Sequence, residues 1–234
     1  MGYPNEVSLG PRPVSEADAH SRSIFIIRTY NHLLGAVLAF TGLEIALFKT
    51  GMAEPIARAM LGTHWIVVIG AFILVSWIAS SVAHRVTSKT AQYAALLAYV
   101  VAEAIVFVPM LFIVKLVAPD VLQPAVIVTG AGFLALTFIG FMTRKDFSFL
   151  GGLLRWLGAG ALLAIGAGLL FGFNLGTWFS VGMIVFAGAA ILYNTSNVLL
   201  HYPEDRYVAA SLELFASVVL LLWYVLRLFL RMRD

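Results

Sequence analysis

Seven apolar runs, each about 20 residues long, divide this chain of 234 residues, and nothing constrains its fold more. A segment crossing hydrocarbon must satisfy its own backbone hydrogen bonds, so runs of this length are read as membrane-spanning helices. They are expected at 29–48, 64–83, 91–114, 121–142, 149–171, 177–200 and 206–230. Hydrophobic residues make up 61% of the chain and charged residues 12%, against about 45–50% and 25% in soluble domains. The expected class is therefore all-α, a polytopic membrane protein with seven transmembrane helices. A mobile polar tail is expected at 1–23, followed by a single seven-helix domain at 24–234, with the lipid bilayer as its first partner.

Local signals mark the joints. Ser15 and Asp18 have the spacing of a capping box for a short interfacial helix over 19–23. Gly51, Pro55 and Gly62 mark a loop, Pro109 a kink within the third span, and Asp146 or Ser148 a cap for the fifth. Gly168, Gly172 and Gly176 carry the small-residue spacing that lets helices approach closely, the second pair also fitting a turn at a span end.

The net charge is +3, and Lys and Arg sit mostly at the ends of apolar runs. That pattern fits membrane orientation and not nucleic-acid binding. With the N-terminus inside, Arg85, Lys89, Arg144, Lys145 and Arg206 fall on the cytoplasmic side. Arg227, Arg231 and Arg233 break the rule, so either the C-terminus is translocated against it or the last run re-enters without crossing. No cleaved signal peptide is expected. Cysteine is absent, which removes thiol catalysis and thiolate metal sites.

Polar side chains inside apolar runs are the functional candidates, because lipid penalises them unless they face protein or water. Asn194, Asn197 and His201 step by three and four residues and share a helical face. They either bond a neighbouring helix near a span end or line a pathway. Glu213 and Ser217 are four apart on the last run, and Glu213 either is buried or reaches water or Arg206. Glu103 lies mid-span, whereas Glu44 is near a span end and is expected to reach the interface. Arg155 either snorkels to the surface or serves as charge partner to a buried acid. No histidine pair is placed for haem ligation, and neither a HExxH zinc helix nor a GxSxG elbow is present. With no lysine after Lys145 the last span holds no retinal linkage, and no Walker-type loop occurs. No enzyme activity, cofactor or bound metal is expected.

An ordered set of segments then stands out: Thr29-Tyr30-Asn31-His32-Leu33, Glu103-Ala104 with Pro109, Gly132-Phe133 with Thr137, Thr143-Arg144-Lys145-Asp146-Phe147-Ser148 with Gly151, Tyr193-Asn194-Thr195, and Leu226-Arg227. Together they resemble the Bax inhibitor-1-like family (transmembrane Bax-inhibitor-motif proteins) in its bacterial branch, over nearly the whole chain beyond the tail. The resemblance implies a fold in which the seventh helix is central and wrapped by the other six. It also implies a pH-sensitive calcium leak or, alternatively, restraint of a membrane-anchored AAA protease, in the bacterial inner membrane.

In the channel members, two aspartates on the sixth and seventh helices form a proton-sensing pair. The resemblance puts the first at Asn194 and, ten residues before Arg227, the second at Ser217. Neither is acidic here, so an amide and a hydroxyl are expected to join the last two helices without titrating, with Glu213 supplying residual pH sensitivity. Glu103 matches the family's acid on the third helix, while Ala104 replaces its usual glycine.

Overall fold

The computed structural model describes residues 13–233. Its helices are α1 (Ala19–Lys49), α2 (Ala53–Leu61), α3 (Trp65–Arg85), α4 (Lys89–Val117), α5 (Leu122–Thr143), α6 (Leu150–Phe171), α7 (Gly176–Leu200) and α8 (Tyr207–Arg231). All except α2 are long and apolar enough to cross a bilayer, which makes seven spans.

Two elements differ from expectation at the start of the chain. Residues 1–12 of the expected tail lie outside the described residues, but 13–23 are built into the fold. Val14 is fully buried, its N–H donating to the Tyr202 carbonyl at 2.9 Å. The Asp18 side chain accepts from the backbone N–H groups of His20 and Ser21, and from that cap α1 runs unbroken into the first span. Hydropathy marks only where the helix enters lipid; the cap marks where it begins. The loop expected around Pro55 contains α2, whose Ala53 and Ala57 pack against Val108. Proline is tolerated there because the first turn has no intrahelical use for its missing N–H.

α8 is the hub. In its most apolar window 67% of residues are buried, against 6% for α6. It packs against α1, α3, α4, α5 and α7, while α6 leans on α7 and α3. Five of the other spans therefore pack closely on the central helix.

Small residues set two of the tight joints. A Cβ added at Gly140 of α5 would lie 2.7 Å from Thr195 Cγ2 of α7, and one at Gly151 of α6 would lie 2.9 Å from the Tyr193 ring. The expected Gly168/Gly172/Gly176 packing motif is instead a turn. Gly172 and Gly176 take φ of 73° and 74°, and Gly168 faces the Phe173 carbonyl of its own loop.

The first and last described residues lie at opposite ends of the bundle. Near the N-terminus, the segment at 13–18, the α3–α4 turn, the α5–α6 loop and the α7–α8 hinge bond to one another. Phe147 N–H donates to Ser196 Oγ at 2.9 Å, Arg206 to the Val86 carbonyl at 2.6 Å, and Lys89 to the Asp205 carbonyl. At the far end Arg233 pairs with Asp120 and Arg231 donates to Asn174. The last run thus crosses completely, and two of the arginines that break the orientation rule are engaged by loop side chains.

Candidate functional site

α7 and α8 meet at the middle of their polar stretch. Asn194 Nδ2 donates to Ser217 Oγ at 3.0 Å and to the Glu213 carbonyl at 3.1 Å; Ser217 Oγ donates to the same carbonyl at 3.0 Å. Asn194 and Ser217 are 7% and 4% exposed, so this amide–hydroxyl seam is withdrawn from lipid. None of its groups changes charge in the physiological range.

One turn before Ser217, the Glu213 carboxylate turns to α3. Its Oε1 accepts from Ser80 Oγ at 2.8 Å and lies 3.9 Å from His84 Nδ1. Arg206, a partner considered from the sequence, is committed to Val86 and Asp205. His84 Nδ1–H donates to the Ser80 carbonyl at 2.8 Å, leaving Nε2 to accept from the Tyr202 hydroxyl at 3.2 Å. Burial first, and the Glu213 charge second, push the Tyr202 phenol well above its ordinary range, so it stays a donor. Ser80, His84 and Tyr202 were missed from sequence; the signal was a Ser80/His84 pair four apart on an otherwise apolar run.

Above the seam lies a cavity of ≈ 710 Å³ that separates α6 from α8. Every fourth or third residue of α8 from Glu213 through Ser217, Leu220 and Tyr224 to Arg227 faces it, as do Tyr99, Glu103 and Phe107 of α4. From Glu213 to Arg227 the cavity extends along α8 for about 21 Å, most of the thickness of a bilayer core. One end is bounded by Asn194 and Tyr193, the other by the Phe173–Leu175 loop on the side of the C-terminus. Glu103 is 6% exposed and accepts from the Tyr99 hydroxyl at 2.9 Å.

Other candidates fall elsewhere. Asn197 is half-buried and does not reach the cavity, and His201 is exposed with Nε2 3.3 Å from Asp146 Oδ2. They share a helical side with Asn194, but His201 lies about 10 Å further along α7, where the helix has left the core. Arg155 is exposed and bonds the Gly151 carbonyl of its own helix at 3.1 Å, with no acid partner. Glu44 is 6% exposed, and neither of its oxygens is bonded by another protein group among the described residues.

The motif loop has a structural task. Arg144 closes α5 at φ 48°, and Ser196 Oγ holds the loop by accepting from Phe147 N–H and donating to the Lys145 carbonyl at 3.3 Å. Asp146 Oδ1 accepts from Ser148 N–H at 2.8 Å, tying the loop rather than capping α6. That N–H and the Ser148 hydroxyl, with a smaller contribution from His201, hold the Asp146 carboxyl below its ordinary value of 3.8. The stabilisation is present above that value and is lost as pH falls through the lowered one.

Seven spans packed about a buried last helix, with a polar seam and a cavity beside it, define an integral membrane protein. The family model described as "Inhibitor of apoptosis-promoting Bax1" matches residues 22–234, and the chain belongs to that family. It is also similar to the uncharacterized protein PA2604 of Pseudomonas aeruginosa, 33% identical over 114 residues. That alignment covers 47% of this chain and 50% of the relative, so the chain spans about half the length of the curated relative it matches.

Proposed function

We propose that this protein is a cation leak pathway or permease, with calcium the first ion to test, set in the bacterial inner membrane with its N-terminus cytoplasmic. The observation that carries this reading is a largely apolar cavity that carries Glu103 and Glu213 in its lining and ends on the Asn194–Ser217 seam. A path reaching most of the way through the bundle is stopped by one hydrogen-bonded contact between two helices. Its two acids, Glu103 and Glu213, would favour cations. Arg85, Lys89, Arg144, Lys145 and Arg206, all on the N-terminal side of the bundle, favour a cytoplasmic N-terminus.

The remaining pH response is assigned to Glu213. Facing it are His84 of α3, Tyr99 of α4 and Tyr202 of the α7–α8 hinge. Ser80 Oγ donates to the Glu213 carboxylate at 2.8 Å and His84 Nδ1 lies 3.9 Å from it, so this contact joins α3 to α8 beside the seam.

Purified protein in liposomes loaded with a calcium indicator should leak faster than protein-free liposomes, with a rate that changes between pH 6 and pH 8. Glu213→Gln should flatten that profile. A leak no faster than that of empty liposomes at any pH refutes the transport reading. An unchanged profile in Glu213→Gln refutes only the role of that residue.

A further inference from the structure

We propose that the cavity beside α8 is a binding site for a lipophilic organic cation, a claim that goes beyond the transport reading and stands whether or not ions pass the seam. The volume of ≈ 710 Å³ falls in the range of small-molecule sites, which are mostly apolar with a few convergent polar groups. Aromatic side chains supply much of the wall: Phe72 and Tyr99 on one side, Phe107 and Trp223 in edge contact at 5.1 Å on another, with Tyr193 towards the seam. Aromatic faces attract cations, best of all large cations that are poorly hydrated.

The charge inside points the same way. Glu103 is more than nine-tenths buried and lines the cavity, yet no Lys, Arg or His pairs with it among the described residues; Tyr99 gives it a single hydrogen bond. A carboxylate there is uncompensated, and an uncompensated buried charge is costly. Glu213 adds a second acid at the closed end. The basic member of the lining, Arg227, lies about 21 Å from Glu213 along α8, so the two ends have opposite polarity. The walls themselves are largely apolar. A cation with a diffuse charge and an apolar body satisfies both, its charge near Glu103 and its body against the aromatic rings.

Tetraphenylphosphonium and tetraphenylborate separate this site from a simple lipid-filled groove, since they have nearly the same shape and opposite charge. Their binding to the purified full chain in a nonionic detergent is measured by equilibrium dialysis, with protein-free micelles in a parallel cell to subtract partitioning. The phosphonium should bind roughly tenfold tighter than the borate, and the Glu103→Gln, Glu213→Gln double variant should lose that preference. Equal affinities on the unaltered protein, preference for the borate, or a preference that survives in the double variant would overturn the proposal. The comparison of the two ions on the unaltered protein requires no variant to fold. Because it reads binding and not flux, a failed leak assay leaves it intact, and its own failure leaves the leak assay intact.

Discussion

Asn194→Asp is expected to make the α7–α8 seam open as pH rises. Asn194 donates to both Ser217 Oγ and the Glu213 carbonyl, which has no proton to give back. A protonated aspartic acid can still donate to that carbonyl, so the variant should resemble the parent in acid. Once ionised, it presents oxygen to oxygen in a buried place and loses both donated bonds. Removing a buried hydrogen bond and leaving its partner unmatched costs about 1–3 kcal/mol, and more when a charge is involved. The melting temperature of the variant should therefore match the parent near pH 5 and fall below it by roughly 5 °C near pH 8. A difference that does not change with pH would mean that the carboxylate has found water, and that the seam is not sealed.

Gly140→Ala should have the largest effect of any single methyl. Its new Cβ would lie 2.7 Å from Thr195 Cγ2 and 3.3 Å from Thr195 Cβ, on a fully buried residue that cannot swing away. Overpacking of this kind costs about 1–3 kcal/mol and would push α7 off α5. Thr195→Ser removes the methyl it strikes, so the double variant should recover most of the loss in a thermal-unfolding cycle. Additive losses would place the strain elsewhere.

How much of this could be read from the chain depended on whether the signal was local. The seven spans follow from run length, whereas the pairing of Asn194 with Ser217 came from the family resemblance and not from the pattern of polar residues. Helix periodicity placed Asn197 and His201 on the side of Asn194, yet neither lines the cavity, since a shared face does not say where along the helix the cavity ends. Hydropathy left Arg155 between snorkelling and pairing with a buried acid; it is exposed and bonds the Gly151 carbonyl of its own helix. The partners of Glu213 were invisible because Ser80 and His84 lie on a helix far away in sequence, brought near by packing alone. The cavity was invisible for the same reason: it exists because α6 stands away from α8, and no pattern within either helix records that gap. The glycines told the reverse story. The spaced set at 168–176 forms a turn, while the functional close approaches at Gly140 and Gly151 depend on which side chain faces them.

The cavity is expected to be reached past the Phe173–Leu175 loop from the C-terminal side and to be closed on the other by the Asn194–Ser217 contact. The chain contains no cysteine, so a single introduced thiol reports on access without background. Leu220→Cys, which places that thiol on the cavity wall, should react with a membrane-impermeant maleimide added on the C-terminal side and be protected from the N-terminal side. Adding Asn194→Leu should expose it to reagent from the N-terminal side as well. Labelling of Leu220→Cys from the N-terminal side with Asn194 intact would contradict the account.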